Sequence, residues 1–258
     1  MCLVLISYRQ HPGYRLILAA NRDEFYDRPS QSASYWGGEP LILGGKDLKA
    51  GGTWFGITQT GRFAVLTNYR EPGSYMPDAP SRGNLVRDFL LGPEDPSEFL
   101  NDLKGEARRY NGFSLIAGDF DRLHYFSNRS SGPGELPPGD YGLSNNLLDK
   151  PWPKVELGKK LLRSIVDRGP FSSEDLFNIL GNRERPQDER LPDTGVGLEW
   201  ERILSAIFIA SPVYGTRCST IVLIENSGKI AFIERAFNTR AEPCITSEFH
   251  FRINRNGD

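Results

Sequence analysis

Short apolar runs open the chain. CLVLISY and YRLILAAN are β-rich, and HPG between them has turn chemistry, so residues 2–21 predict an antiparallel hairpin. A polar stretch from Arg22 to about Pro40 reads as a loop. TWFGIT and RFAVLTNY flank Gly61 and predict a second hairpin. The period changes near Ser81. In SRGNLVRDFLL, Leu85, Phe89 and Leu90 share one face, which predicts a helix with a serine N-cap that Gly92 and Pro93 end. PSEFLNDLKGEARRY predicts a second amphipathic helix. FSLIAGD and RLHYFSN predict a hairpin around Asp119–Asp121. Residues 130–141 are rich in Gly and Pro and read as loop. VELGKKLLRSIVDRG and SSEDLFNILGN predict helices, the second opening with a capping sequence at Ser172–Asp175. Residues 182–198 are polar and read as loop, and ERILSAIFIA fits helix or strand equally. RCSTIVLIE and KIAFIERAF close the chain as a hairpin around Asn226–Gly228.

Antiparallel strand pairs thus stand at both ends and helices gather in the middle. That order predicts an α+β fold rather than βαβ alternation. Hairpins from the two ends are expected to form two packed sheets with helices on the outer faces. No internal repeat or low-complexity linker divides residues 1–258, which read as one domain.

Composition narrows the function classes. Hydrophobic residues make up 38%, enough for a core. The 31 Lys and Arg against 33 Asp and Glu lack the basic excess of a nucleic-acid binder. No apolar run approaches the ~18 residues of a membrane helix, and the N-terminus lacks the basic start and cleavage site of a signal peptide. Cys2, Cys218 and Cys244 are too sparse for a disulfide framework, so a reducing, cytoplasmic setting is expected. His11, His124 and His250 are far apart and no CxxC or HExxH occurs, so no dedicated metal site is expected.

The sharpest chemical signal is Cys2. Removal of Met1 would leave it a free α-amine with a pKa of about 7.7–8.0, a base on the same residue as the thiol nucleophile. In the predicted hairpin, the end of the second strand lies beside Cys2 and brings Arg22 and Asp23 there. An aspartate holds an amine, and an arginine stabilises a thiolate. The plain reading of Cys2 is a small buried hydrophobe opening a strand, and that of the charged residues is a solvated turn.

The opening MC, AANRDEFYDRP, GGTWFGIT, FAVLTNYRE, SRGNLV, GLSNNLLDKPWPKV and YGTRCSTIVLI resemble, in this order, the NRDE or transport-and-Golgi-organization-2 family. That family is similar to the N-terminal-nucleophile hydrolases of the choloylglycine hydrolase and penicillin V acylase branch. The resemblance implies a four-layer αββα sandwich. It implies Cys2 as nucleophile, Asp23 as the holder of its amine, Asn68 and Asn145 as oxyanion donors, and Arg217 as the arginine beside the thiol. It departs at Ala20, where the hydrolases carry an arginine, so Arg22 would have to stand in. Neighbouring strand residues point to opposite faces, so Arg22 and Asp23 reach Cys2 together only if the strand ends or bulges there.

Two functions follow from the resemblance. One is a protein that binds or handles a small amphipathic metabolite such as haem or acyl-CoA, in a family linked to secretory-pathway and Golgi organisation. The other is an N-terminal-cysteine amidohydrolase that cleaves a small acyl amide with no cofactor. The Ala20 departure ranks the first ahead, with haem as cargo rather than cofactor.

Overall fold

In the computed structural model, which describes residues 2–253, the opening hairpin forms as its pattern predicts. β1 (Cys2–Tyr8) pairs antiparallel with β2 (Tyr14–Phe25), with Cys2 opposite Arg22. β2 does not end at Asn21. It continues through Arg22, Asp23 and Glu24 because a strand from the far end of the chain supplies a second ladder, with Phe25 opposite Tyr214. The expected loop from 22 to 40 also contains β3 (Ser30–Trp36), an edge strand whose one buried residue is Ala33. Its polar sequence hid it, since an edge strand buries little.

β4 (Ile42–Asp47) carries two glycines. A Cβ on Gly44 would lie 2.6 Å from the Phe55 carbonyl oxygen, and one on Gly45 would lie 2.3 Å from the Trp54 ring. Glycine in this strand marks close approach of its neighbours. β5 (Phe55–Thr58) and β6 (Phe63–Asn68) form the predicted hairpin, turning at Gly61 with φ +83°. α1 (Gly83–Leu91) starts after Ser81: Arg82 is the N-cap residue and no side chain caps the helix. α2 (Pro96–Glu106) is capped by Asp95 and Glu98.

β7 (Phe113–Gly118) and β8 (Leu123–Ser127) pair as expected. β9 (Gly134–Glu135) and β10 (Gly139–Leu143) occupy the stretch read as loop. α3 (Pro153–Arg168) and α4 (Ser173–Leu180) follow, with the Ser172–Asp175 capping box in place. α5 (Leu198–Leu204) takes the first part of the ambiguous apolar run. β11 (Tyr214–Glu225) and β12 (Lys229–Phe237) form the expected hairpin. β13 (Pro243–Arg252) pairs with β12, so Cys244 lies in an edge strand.

The strands form two antiparallel sheets. The first has the order β10-β1-β2-β11-β12-β13, and the second runs β3 to β9 in sequence. Hairpins from the two chain ends therefore share one sheet, and the second sheet comes from the middle. β2 and β11 make this join because both are long and buried almost throughout. Alternation splits β1 cleanly. Val4 and Ile6 pack between the sheets with Phe55, Val65 and Phe232, while Leu3 and Leu5 pack with Leu162 and Leu176 of α3 and α4. On the far side, Phe89 and Leu100 of α1 and α2 cover Leu66 and Phe113. The layers are helix, sheet, sheet, helix.

Candidate functional site

The carboxyl end of β2 organises one end of the sandwich. Arg22 pairs with Cys2 on one side and with Cys218 on the other, so these three share a row across β1, β2 and β11. The register between β2 and β11 shifts between Thr216 and Cys218, which leaves Arg217 at the irregularity. Met1 and the Cys2 side chain lie outside the described residues, so the nucleophile and its amine stay expectations.

The four residues from Asn21 to Glu24 take four different settings. Asn21 is structural: its amide donates to the carbonyls of Leu180 and Ile207, both at 2.9 Å, and its oxygen accepts from Ser219. Arg22 turns to the inter-sheet side, 5% exposed, with its guanidinium 4.1 Å from the Trp54 ring centroid. Asp23 is fully buried and accepts from Thr216 Oγ1 at 2.7 Å. Burial pushes the Asp23 carboxyl above its usual range, opposed by the Lys154 ammonium and the Thr216 hydroxyl. Glu24 faces Arg28 at 3.8 Å. β2 continues through Arg22 and Asp23, which take opposite faces; Arg22 stands opposite Cys2, and which of the two meets the thiol stays an expectation, since the Cys2 side chain lies outside the described residues.

Asn68 ends β6, and its carbonyl accepts from Asn145 Nδ2 at 3.0 Å. Asn145 is fully buried; Ser144 Oγ donates to its oxygen, and the Arg70 N–H donates to its carbonyl. Its amide nitrogen is therefore directed at the backbone of Asn68. Arg217 is committed as well. Its Nη1 donates to the carbonyls of Phe25, Tyr26 and Arg28 and so fastens the β2–β3 loop. Its place beside the thiol stays an expectation, since the Cys2 side chain lies outside the described residues.

Beside Arg22 opens a cleft of about 610 Å³. Its wall includes Arg22, Trp54, Asn68, Tyr75, Arg82 and Asn111. Two sequence motifs meet behind it. Thr53 N–H donates to the Gly83 carbonyl, and a Cβ on Gly52 would lie 2.4 Å from the Gly83 carbonyl carbon. That is why GGTW and SRGN occur together: the backbones touch. Gly52→Ala is expected to destabilise the fold by about 1–3 kcal/mol through overpacking and to weaken ligand binding in the cleft. Urea unfolding with a parallel binding titration checks both, and an unchanged midpoint would refute the contact.

Several residues here escaped the sequence reading. Trp54 and Arg82 stand in the GGTW and SRGN motifs, which by themselves give neither a role in a cleft. Lys154, 3% exposed at the start of α3, lies near Asp23. Arg70 and Glu201 form a buried pair at 2.7 Å, and Arg70 also lies over Trp152. Glu234, 2% exposed, accepts from the Ala33 N–H at 2.6 Å and ties the first sheet to β3 of the second. Lys154, the Arg70–Glu201 pair and Glu234 have no local signal, since each depends on a partner more than 100 residues away or on burial. Among the described residues no cluster of three or more His, Cys, Asp or Glu is placed to hold a metal.

The model of the family Transport and Golgi organisation 2 matches residues 1–239. The chain belongs to this family. The mouse Transport and Golgi organization 2 homolog is 40% identical over 261 residues, covering 92% of this chain and 93% of its own. The Drosophila melanogaster Transport and Golgi organization protein 2 is 31% identical, covering 91% of each. Among solved structures, a conjugated bile acid hydrolase from Clostridium perfringens superposes with a TM-score of 0.54 at 9% identity, covering 98% of both chains. A Caenorhabditis elegans ortholog of N-acylethanolamine-hydrolyzing acid amidase superposes with a TM-score of 0.51 at 14% identity, covering 86% of this chain and 92% of its own. At these identities the likeness shows the fold alone. The Transport and Golgi organisation 2 chain thus has an N-terminal-nucleophile-hydrolase-like fold, and its motifs NRDE, GGTW and SRGN converge on one cleft.

Proposed function

We propose that this chain binds a small amphipathic metabolite, of the kind haem and acyl-CoA represent, in the cleft beside Arg22. One observation carries the reading: an open cleft of about 610 Å³ is lined by Asn68, and behind it the Asn145 amide nitrogen donates to the Asn68 backbone carbonyl. A hydrolase would need its oxyanion donors, Asn68 and Asn145, aimed at the developing charge, each worth about 2.7–4 kcal/mol of barrier. The Asn145 contact instead holds Asn68, which lines the cleft, as part of a binding wall. Haem in this cleft would be cargo. No histidine is among the lining residues, so the wall offers it no imidazole ligand.

A cysteine amidohydrolase is the second reading, and one observation favours it. Asp23 lies one register step beyond the Cys2–Arg22 pair, where the α-amine of Cys2 would stand once Met1 is removed. Intact mass settles the removal. The chemistry is tested with fatty-acyl amides as substrates and with haem and acyl-CoA as ligands, on wild type and Cys2→Ser. The expected result is ligand affinity within about twofold in the two proteins and no multiple turnover in either, since only covalent chemistry needs the thiol. Robust turnover by wild type that Cys2→Ser abolishes would replace the binding reading with the hydrolase.

A further inference from the structure

The cleft wall holds more positive charge than its carboxylates balance. Arg22, Arg28, Lys49 and Arg82 face Glu24 and Asp47. Both carboxylates go to one arginine: Arg28 meets Asp47 Oδ2 at 2.6 Å and Glu24 at 3.8 Å. Arg22 and Arg82 make no ion pair, although Glu234 and Asp23 act on Arg22, and Glu24 and Glu71 on Arg82, from farther away. Among the described residues no carboxylate lies within ion-pair distance of either. Arg22 is 5% exposed, and its one described hydrogen bond is a long contact of 3.4 Å to Ser30 Oγ. Arg82 donates to the Gly112 carbonyl at 2.8 Å, and burial pulls its pKa down. A guanidinium carries five donors. Arg22, buried, and Arg82, half-buried, keep donors that no protein group takes, and an anion in the cleft would take them.

The backbone sets them together. Trp54 supplies the shelf under Arg22, and the residue before it, Thr53, binds the Gly83 carbonyl next to Arg82. Arg82 is the N-cap residue of α1, and Ser81, Arg82 and Gly83 all line the cleft, so the positive end of a nine-residue helix opens on the same wall. The whole chain carries a net charge of −2, which makes this local excess a focused one.

We infer that Arg22 and Arg82 form an oxyanion subsite in the cleft that takes a carboxylate or phosphate carried by the ligand. This rests on the binding function proposed above and names the polar half of its ligand. The aromatic side chains Phe25, Trp54 and Tyr75 on the same wall suit the apolar remainder.

The subsite is tested with three twelve-carbon probes below their micelle concentrations: dodecyl phosphate, dodecanoate and uncharged monolauroyl glycerol. The two anions are expected to bind at least tenfold tighter than the neutral probe, with affinity falling as salt rises. Whichever of the two binds tighter identifies the anion. Arg22→Gln and Arg82→Gln are each expected to cost the anions about tenfold and the neutral probe less than twofold. Equal loss for all three probes, or a neutral probe as tight as the anions, overturns the subsite.

A second measurement does not depend on the apolar half. Phenylglyoxal modification of the wild type, mapped by mass spectrometry, is expected to slow at Arg22 and Arg82 in the presence of inorganic phosphate or acetate and to continue unchanged at exposed Arg240. Protection without binding of any twelve-carbon probe keeps the subsite and removes the amphipathic reading. Binding without protection does the reverse.

Discussion

Glu201→Ala is expected to lower the unfolding free energy by about 3–5 kcal/mol, because it removes one partner of a buried ion pair and leaves the other charge out of water. Glu201 and Arg70 each have 4% side-chain exposure and meet at 2.7 Å. Burial already pulls the Arg70 pKa down, opposed mainly by Glu201. The same carboxylate accepts from the N–H and hydroxyl of Thr194, so it also pins the loop between α4 and α5. The effect reaches the cleft. Arg70 donates its backbone N–H to the carbonyl of Asn145, whose side chain holds Asn68 on the cleft wall. Urea unfolding followed by circular dichroism reads the stability. A loss below about 1 kcal/mol would mean that the pair is solvated in a way its burial contradicts. Glu201→Gln keeps the acceptor for Thr194 but not the charge, and separates the two contributions.

Glu234→Gln is expected to change the pH dependence of stability rather than the fold. Glu234 is buried between the sheets, and burial holds its carboxyl above the usual range against the Ala33 N–H, Cys218, Thr220 and Arg22. A carboxyl with a raised folded pKa binds its proton more tightly in the folded state. Its contribution is complete below the unfolded pKa, about 4.3, and is lost as pH rises through the folded value. Each tenfold difference between the folded and unfolded ionisation constants is worth about 1.4 kcal/mol. Glutamine has nothing to ionise and still offers an oxygen to the Ala33 N–H. The stability of the variant relative to wild type is therefore expected to rise between pH 4 and 7. Asp23, also raised by burial, remains in both proteins and cancels in the difference. A flat difference would show that Glu234 titrates alike in the folded and unfolded chains.

Much of the fold was legible because its signals are local. The hairpins at HPG, Gly61 and Asn226–Gly228 and the helices of α2, α3 and α4 follow from turn chemistry and period. The elements that escaped share a cause. β3 is polar, β4 carries paired glycines, β10 sits among Gly and Pro, and β13 buries little. Each becomes strand only because a partner already stands beside it: β3 takes Glu234 across the sandwich, and β10 takes β1. The site divides the same way. The nearness of Cys2 to Arg22 follows from one tight hairpin, and the opposite faces of Arg22 and Asp23 follow from strand alternation once the strand is known to continue.

The sequence by itself determined the α+β class, the family, the pairing of the chain start with Arg22, and the conflict between Arg22 and Asp23. It did so because these depend on residues close in the chain or on motifs read whole. Tertiary structure alone decided that both chain ends build one sheet, that the Asn145 amide donates to the Asn68 carbonyl, and that Arg28 takes the Glu24 and Asp47 ion pairs while Arg22 and Arg82 form none. A residue type fixes what a side chain offers; which offers are taken depends on the groups that burial brings within about 3 Å, and these come from anywhere in the chain.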